Sequence, residues 1–189
     1  VGHCRGASST RDAALAGMDM ILHATYMDDP ALAAVVERRV PIVPTFTFQA
    51  NLADFGAAVG ASEGIREIFQ KEIEESAVML KRAYDAGVPL LCGTESGFSI
   101  TPYGDWHYRE LEVFVGDLGL TPLQAIKAAT SDNAFALGLG GETGAVETGR
   151  LADLLLVAGD VARDVTVLGR RENLRQVILD GECVAIAPP

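Results

Sequence analysis

Two histidines and one glutamate in this 189-residue chain could share a metal ion. His3 closes the short apolar run Val1-Gly2-His3, and His23 closes Met20-Ile21-Leu22-His23. Each run leads into a stretch that reads as a helix. Side chains at the same end of neighbouring parallel strands can converge, because such strands lie about 4.8 Å apart and a zinc–nitrogen bond is about 2.0–2.1 Å long. Gly93-Thr94-Glu95-Ser96-Gly97 places a carboxylate at the end of a further apolar run. Two imidazoles and an acid around one ion is a hydrolytic arrangement, in which bound water is acidified and a carbonyl polarised.

The elements needed to position these groups follow from the pattern of apolar, capping and breaking residues. Ser8 to Gly17 has cap residues in front and glycine behind, which predicts a short helix. Asp29-Pro30 supplies an N-cap and an N1 proline for a helix over Ala31–Arg39. Pro41 to Phe46 reads as a strand whose prolines suit its ends. Ile65, Ile68, Phe69, Ile73, Ala77 and Leu80 recur at helical steps, which predicts a helix from about Gly64 to Ala86. Phe69 and Met79 are then core positions, and Glu72, Glu74 and Glu75 a solvated face. Val88 to Gly93 is the next strand. Alternation of this kind implies a parallel sheet with helices outside, whose functional groups emerge at the C-terminal strand ends. His3, His23, Thr45 and Glu95 all fall there.

A helix is expected from Asp105 to Leu118, and Thr121-Pro122-Leu123-Gln124 reads as a capping box opening another that carries Ala125 through Leu137. The glycine-rich Gly138–Gly144 segment lacks the spacing and the lysine of a phosphate loop and is read as a connection. The tail changes character. Leu151–Val157 reads as a strand, and Val177–Val184 as a hairpin around Asp180-Gly181.

Composition sets limits. The 49% hydrophobic content supports a sizeable core, and a net charge of −11 excludes the basic face that nucleic-acid binding needs. No apolar run approaches the roughly 18 residues of a membrane span. Cys4, Cys92 and Cys183 form no CxxC and cannot all pair, so a reducing cytoplasm is the expected setting. Alternation along the first strand turns Cys4 away from the side that His3 faces, making it a packing residue.

The ordered set of motifs resembles the C-terminal half of a metal-dependent amidohydrolase, in the branch of imidazolonepropionase-like and Xaa-Pro dipeptidase-like enzymes. Gly2-His3 is similar to the metal histidine after the fifth barrel strand, and His23-Ala24-Thr25 to the one after the sixth. Pro44-Thr45 is similar to the seventh strand, and Gly93-Thr94-Glu95-Ser96-Gly97 to the eighth-strand motif, with glutamate in place of the family aspartate. Thr121 to Ile126, Ala129-Thr130 and Asn133-Ala134 match the following helix, and Gly149 to Leu154 a strand of the small β domain.

The resemblance implies an α/β fold: a partial TIM (β/α)8-like barrel, strands five to eight with their helices, over residues 1–143. The C-terminal strands of a small composite β domain would follow over 144–189. It implies His3, His23 and Glu95 as metal ligands, with Glu95 also the catalytic proton shuttle. The cofactor is one or two divalent ions, zinc in the first instance, with manganese or iron as alternatives. The substrate is a small amide, cyclic amide or dipeptide-like molecule cleaved at a C–N bond other than an ordinary peptide bond. His107 and Tyr103 are candidate substrate contacts, although a histidine near a helix start more often caps or faces water. The family's first-strand His-x-His pair and fourth-strand ligand would lie upstream of Val1. The expected partners are therefore an N-terminal half of the same protein or a second copy, with no nucleic acid and no membrane. A catalytically incomplete half that acts by pairing through open sheet edges is the alternative.

Overall fold

The computed structural model describes residues 1–184, and positions 185–189 of the expected second unit lie outside the described residues. Three short strands, β1 (Gly2–Cys4), β2 (Ile21–His23) and β3 (Ile42–Val43), form a parallel sheet in that order. A bridge from Ile42 to Leu90 adds the 88–93 segment beside β3, also parallel. Helices α1 (Ala7–Leu15) and α2 (Asp29–Arg38) connect the strands. The N-cap of α2 is Asp28, whose carboxylate accepts from Ala31 N at 2.9 Å, one residue earlier than Asp29-Pro30 suggested. The expected strand over 41–46 is pared to Ile42–Val43, since Pro41 and Pro44 have no N–H to give a ladder.

Ile21, Ile42 and Leu90 are buried on the outer face of this sheet among Ala14, Val35, Leu80 and Phe114. Leu80 comes from α4 (Glu63–Asp85), which follows α3 (Thr47–Phe55) and a 3-10 turn over Gly56–Val59. Ser62 caps α4 by accepting from Ile65 N. Its apolar stripe packs from Ile73 onward, while Ile65 and Ile68 at its start stay exposed. Phe114 comes from α5 (His107–Gly116), shorter than expected at both ends.

The Thr121 capping box is present, with Gln124 reciprocating. The single helix expected beyond it is two, α6 (Pro122–Ala129) and α7 (Ser131–Ala136). Thr130 breaks them: its hydroxyl bonds back to Ile126 O at 2.7 Å and its backbone (φ −123°, ψ −92°) leaves the helical region. The break aims Asn133 at the 88–93 segment. A separate antiparallel sheet holds β4 (Leu154–Val157), β5 (Leu174–Leu179) and β6 (Glu182–Val184) in that order. Asp180 and Gly181, both at positive φ, make the tight turn between β5 and β6. Among the described residues no helix is long and apolar enough to cross a membrane.

Two close fits tie the sheet to its surroundings. A Cβ on Gly93 would lie 2.6 Å from Val43 Cγ1, so this glycine permits the 88–93 segment to lie against β3. Glu110 of α5 is fully buried and accepts from Phe46 N at 2.9 Å, Thr47 N at 2.8 Å and Thr47 Oγ1 at 2.8 Å. It caps α3, whose own N-cap residue, Phe46, offers no side-chain acceptor. Burial outweighs these donors, together with the Thr45 backbone N–H, and pushes the Glu110 carboxyl up to about 7.

Gly93→Ala is expected to cost about 1–3 kcal/mol in urea unfolding, and Val43→Ala in the same chain to recover part of that loss. Glu110 makes a second prediction. Its folded carboxyl titrates near 7 against 4.5 when unfolded. Its contribution is therefore fully present below about pH 4.5 and is lost as pH rises through about 7, on the order of 3 kcal/mol in all. Unfolding curves across that window should slope downward in the native protein relative to Glu110→Gln, and parallel curves would contradict this.

Candidate metal centre

The strand register alone would keep the two histidines apart. His3 pairs with Leu22, and Cys4 pairs with His23. Strict alternation therefore places His23 on the face of Cys4, which is buried against α1 with its Sγ 3.4 Å from Ser9 O. His23 leaves the pleat instead, at φ +69°, and the next residue, Ala24, returns its N–H to Cys4 O at 2.9 Å. The turn brings its ring to 4.5 Å from that of His3, centroid to centroid and edge-on at 81°. Thr45 at φ +61° and Glu95 at φ +49° end their segments in the same left-handed region. Such backbone is uncommon for any residue but glycine, and for β-branched threonine it is an outlier.

His23 Nε2 lies 3.9 Å from Glu95 Oε2, and one donor atom from each of His3, His23 and Glu95 falls within 4.8 Å of the others. Donors on a tetrahedral ion with bonds of about 2.0–2.1 Å lie about 3.4 Å apart, so small side-chain movements would close the set. His23 is 2% exposed and the Glu95 side chain 49%, giving a buried floor and an open mouth. Burial lowers the His23 pKa, opposed chiefly by the Glu95 charge, and the Pro44 carbonyl also favours the protonated ring. A neutral imidazole is the form that binds a metal. His23 Nδ1 is buried with no well-aligned hydrogen-bond partner. The donor chemistry fits a divalent ion, with His23 Nε2 the ring nitrogen that lies beside Glu95.

The Glu95 segment is braced from behind. Asn133 accepts from Cys92 N at 3.1 Å and donates to Cys92 O at 2.8 Å, imitating a neighbouring strand. Thr94 Oγ1 meets Ser96 Oγ at 2.7 Å and His107 Nδ1 at 3.2 Å. Gly104 N donates to His107 Nε2 at 3.3 Å, so the proton of this ring sits on Nδ1. His107 thus holds the residue before Glu95 and lies outside the three-donor cluster. Tyr103 is 80% exposed and covers Gly97, where a Cβ would come within 2.5 Å of its hydroxyl.

One expectation is overturned. Glu74 and Glu75 are exposed, but Glu72 is 4% exposed, because it faces the strand ends rather than water. It pairs with Arg5, accepts from Gln49 Nε2 at 3.2 Å and from Tyr26 Oη at 3.3 Å. Burial, then the Glu72 charge, raises the Tyr26 pKa. This cluster and Glu110 escaped the reading of the sequence. Arg5, two residues beyond His3 and hence on the same strand face, was the signal available for the first.

A family model described as the Amidohydrolase family matches residues 1–184. A curated relative, an uncharacterized protein of Mycobacterium tuberculosis (strain ATCC 25618 / H37Rv), is 28% identical over 159 residues, which are 81% of this chain and 40% of that protein. Among solved structures, a Xaa-Pro dipeptidase with bound methionine in its active site is similar at 29% identity and TM-score 0.78, over 96% of this chain and 43% of the other. A putative prolidase from Bifidobacterium longum matches at 28% identity and TM-score 0.78, over 96% and 46%. The chain spans less than half the length of these relatives. With strand-end donors, fold and family model in agreement over nearly all of its residues, the chain belongs to the amidohydrolase family.

Proposed function

We propose that this chain is the metal-binding C-terminal part of a hydrolase that cleaves C–N bonds in small amide or dipeptide-like substrates. The observation that carries the reading is the meeting of His3, His23 and Glu95 from three separate strand ends. The Xaa-Pro dipeptidase and the putative prolidase among its similar structures favour dipeptide-like amides within that class. A divalent ion, zinc first among the candidates, would supply Lewis acidity toward the scissile carbonyl and acidify water. His3 and His23 would hold it through ring nitrogens, and Glu95 through one carboxylate oxygen. The half-exposed Glu95 carboxylate would accept the proton of the attacking water and return it to the leaving nitrogen. Tyr103 and His107 would border the substrate at the mouth.

The parallel sheet and its helices, residues 1–143, form the closing part of a TIM-like barrel in this reading, and 144–189 part of a small β domain. In this reading further ligands come from parts of the family fold that the chain's match to its relatives does not cover, and catalysis belongs to the assembled protein. Cytoplasmic residence rests on the three free cysteines.

In the full-length polypeptide, His3→Ala and His23→Ala are each expected to lower bound metal, measured by elemental analysis. Glu95→Gln should lower turnover of Xaa-Pro dipeptides at least about 100-fold with a smaller loss of metal. Unchanged metal content in both histidine variants would contradict the proposal.

A further inference from the structure

The 88–93 segment joins the sheet along one edge, where Ile42 N donates to Pro89 O at 2.9 Å and Leu91 N to Ile42 O at 2.8 Å. Backbone groups alternate between the two edges of a strand, so the N–H and C=O of Cys92 point the other way. Among the described residues no strand pairs with them there. The Asn133 side chain takes both instead, accepting from Cys92 N at 3.1 Å and donating to Cys92 O at 2.8 Å. The chain is thereby held from both sides, through Leu91 by β3 and through Cys92 by α7. Each residue onward to Glu95 is then fixed in turn. Gly93 lies so close to Val43 that a Cβ would come to 2.6 Å from its Cγ1. Thr94 is buried, and its hydroxyl meets Ser96 Oγ at 2.7 Å and His107 Nδ1 at 3.2 Å. Glu95 leaves the pleat at φ +49°. Its carboxylate is approached by His23 Nε2 at 3.9 Å, beyond hydrogen-bond distance, so its direction follows from the backbone that carries it.

We infer that Asn133 is the positioning residue of Glu95: by giving Cys92 both hydrogen bonds that a neighbouring strand would give, it fixes where the 88–93 segment stops and turns, and so the point from which the carboxylate reaches toward His3 and His23. The inference rests on the reading of Glu95 as the proton shuttle. A side-chain amide suits this task better than a strand. A strand would continue the ladder to Thr94, whose backbone groups share the edge of Cys92, and would hold that residue in the pleat. One amide pairs one residue and stops, which leaves the chain free to turn at Glu95. The break at Thr130 makes the reach possible, since it gives α7 a direction of its own. Outer supports of this kind ordinarily contribute about 10- to 100-fold to activity or metal affinity.

The test is a double-mutant cycle in the full-length polypeptide. Asn133→Asp keeps the size of the side chain and an acceptor for Cys92 N but sets a carboxylate oxygen against Cys92 O, and Asn133→Ala removes both bonds. Each should lower kcat for Xaa-Pro dipeptides about 10-fold, with a smaller change in KM. In a Glu95→Gln background the same substitutions should lower kcat by less than about 2-fold, because the group they position is no longer a base. Leu80→Ala, buried away from the site, is the destabilised control, and its effect should be the same in both backgrounds. Equal losses from the Asn133 substitutions in both backgrounds would overturn the inference and leave Asn133 a clamp on the fold alone. A second readout needs neither metal nor turnover: the side-chain carboxyl 13C signal of Glu95 in metal-free protein shown to be folded. It should move in the Asn133 variants and stay in Leu80→Ala, and an unmoved signal in the Asn133 variants would overturn the inference as well. If the native polypeptide cleaves no Xaa-Pro dipeptide, the function proposed above falls, and the carboxyl signal alone decides whether Asn133 positions Glu95. Should Asn133→Asp fail to fold, Asn133→Ala carries both measurements.

Discussion

Everything at the candidate site depends on strands that end by abandoning the pleat. A regular strand at His23 would bury its ring on the helix side with Cys4, its partner in register. One left-handed residue reverses this and puts the ring beside His3. Thr45 and Glu95 end their own segments in the same way. Each such residue costs about 1–3 kcal/mol and persists only where neighbouring structure over-determines it.

The neighbouring structure that does so is polar and buried. Ala24 bonds back to Cys4, Glu110 grips the turn after Thr45, and Asn133 clamps Cys92 three residues before Glu95. Such bonds contribute about 0.5–1.5 kcal/mol each between neutral groups and about 1.5–3 where one partner is charged, a scale comparable with the strain they oppose. The apolar core under the sheet supplies a rigid base, but it has no directionality and does not by itself select one backbone conformation at a strand end. The direction comes from these bonds. Glu72 does the same for the mouth, gathering Arg5 and Tyr26 from the loops after β1 and β2 and Gln49 from α3.

The meeting of His3, His23 and Glu95 was legible because their position at the ends of apolar runs is a one-dimensional signal. The capping box at Thr121 and the Asp180-Gly181 turn were legible for the same reason, each being a local motif with local geometry. Glu72 and Glu110 were hidden by their charge. A glutamate within a helix is ordinarily solvent-facing, and only its partners, 67 residues away for Arg5 and 63 for Thr47, make burial tolerable. A trace existed in the periodicity: Glu110 shares a helix face with Val113 and Phe114, and Glu72 with Ser76, all buried. The division of α6 from α7 was hidden too, since Thr130 is compatible with a helix until its hydroxyl is seen bonding backward.

The chain's place in the amidohydrolase family and its spacing of donors describe one site from two directions. In the proposed function the link between them would be a bound ion, and its position is the most direct thing to determine. Anomalous diffraction from crystals grown with zinc should show one peak within about 2.0–2.2 Å of nitrogen atoms of both His3 and His23 and of a Glu95 oxygen. A peak elsewhere, or the two imidazoles turned from each other around no common centre, would contradict the account.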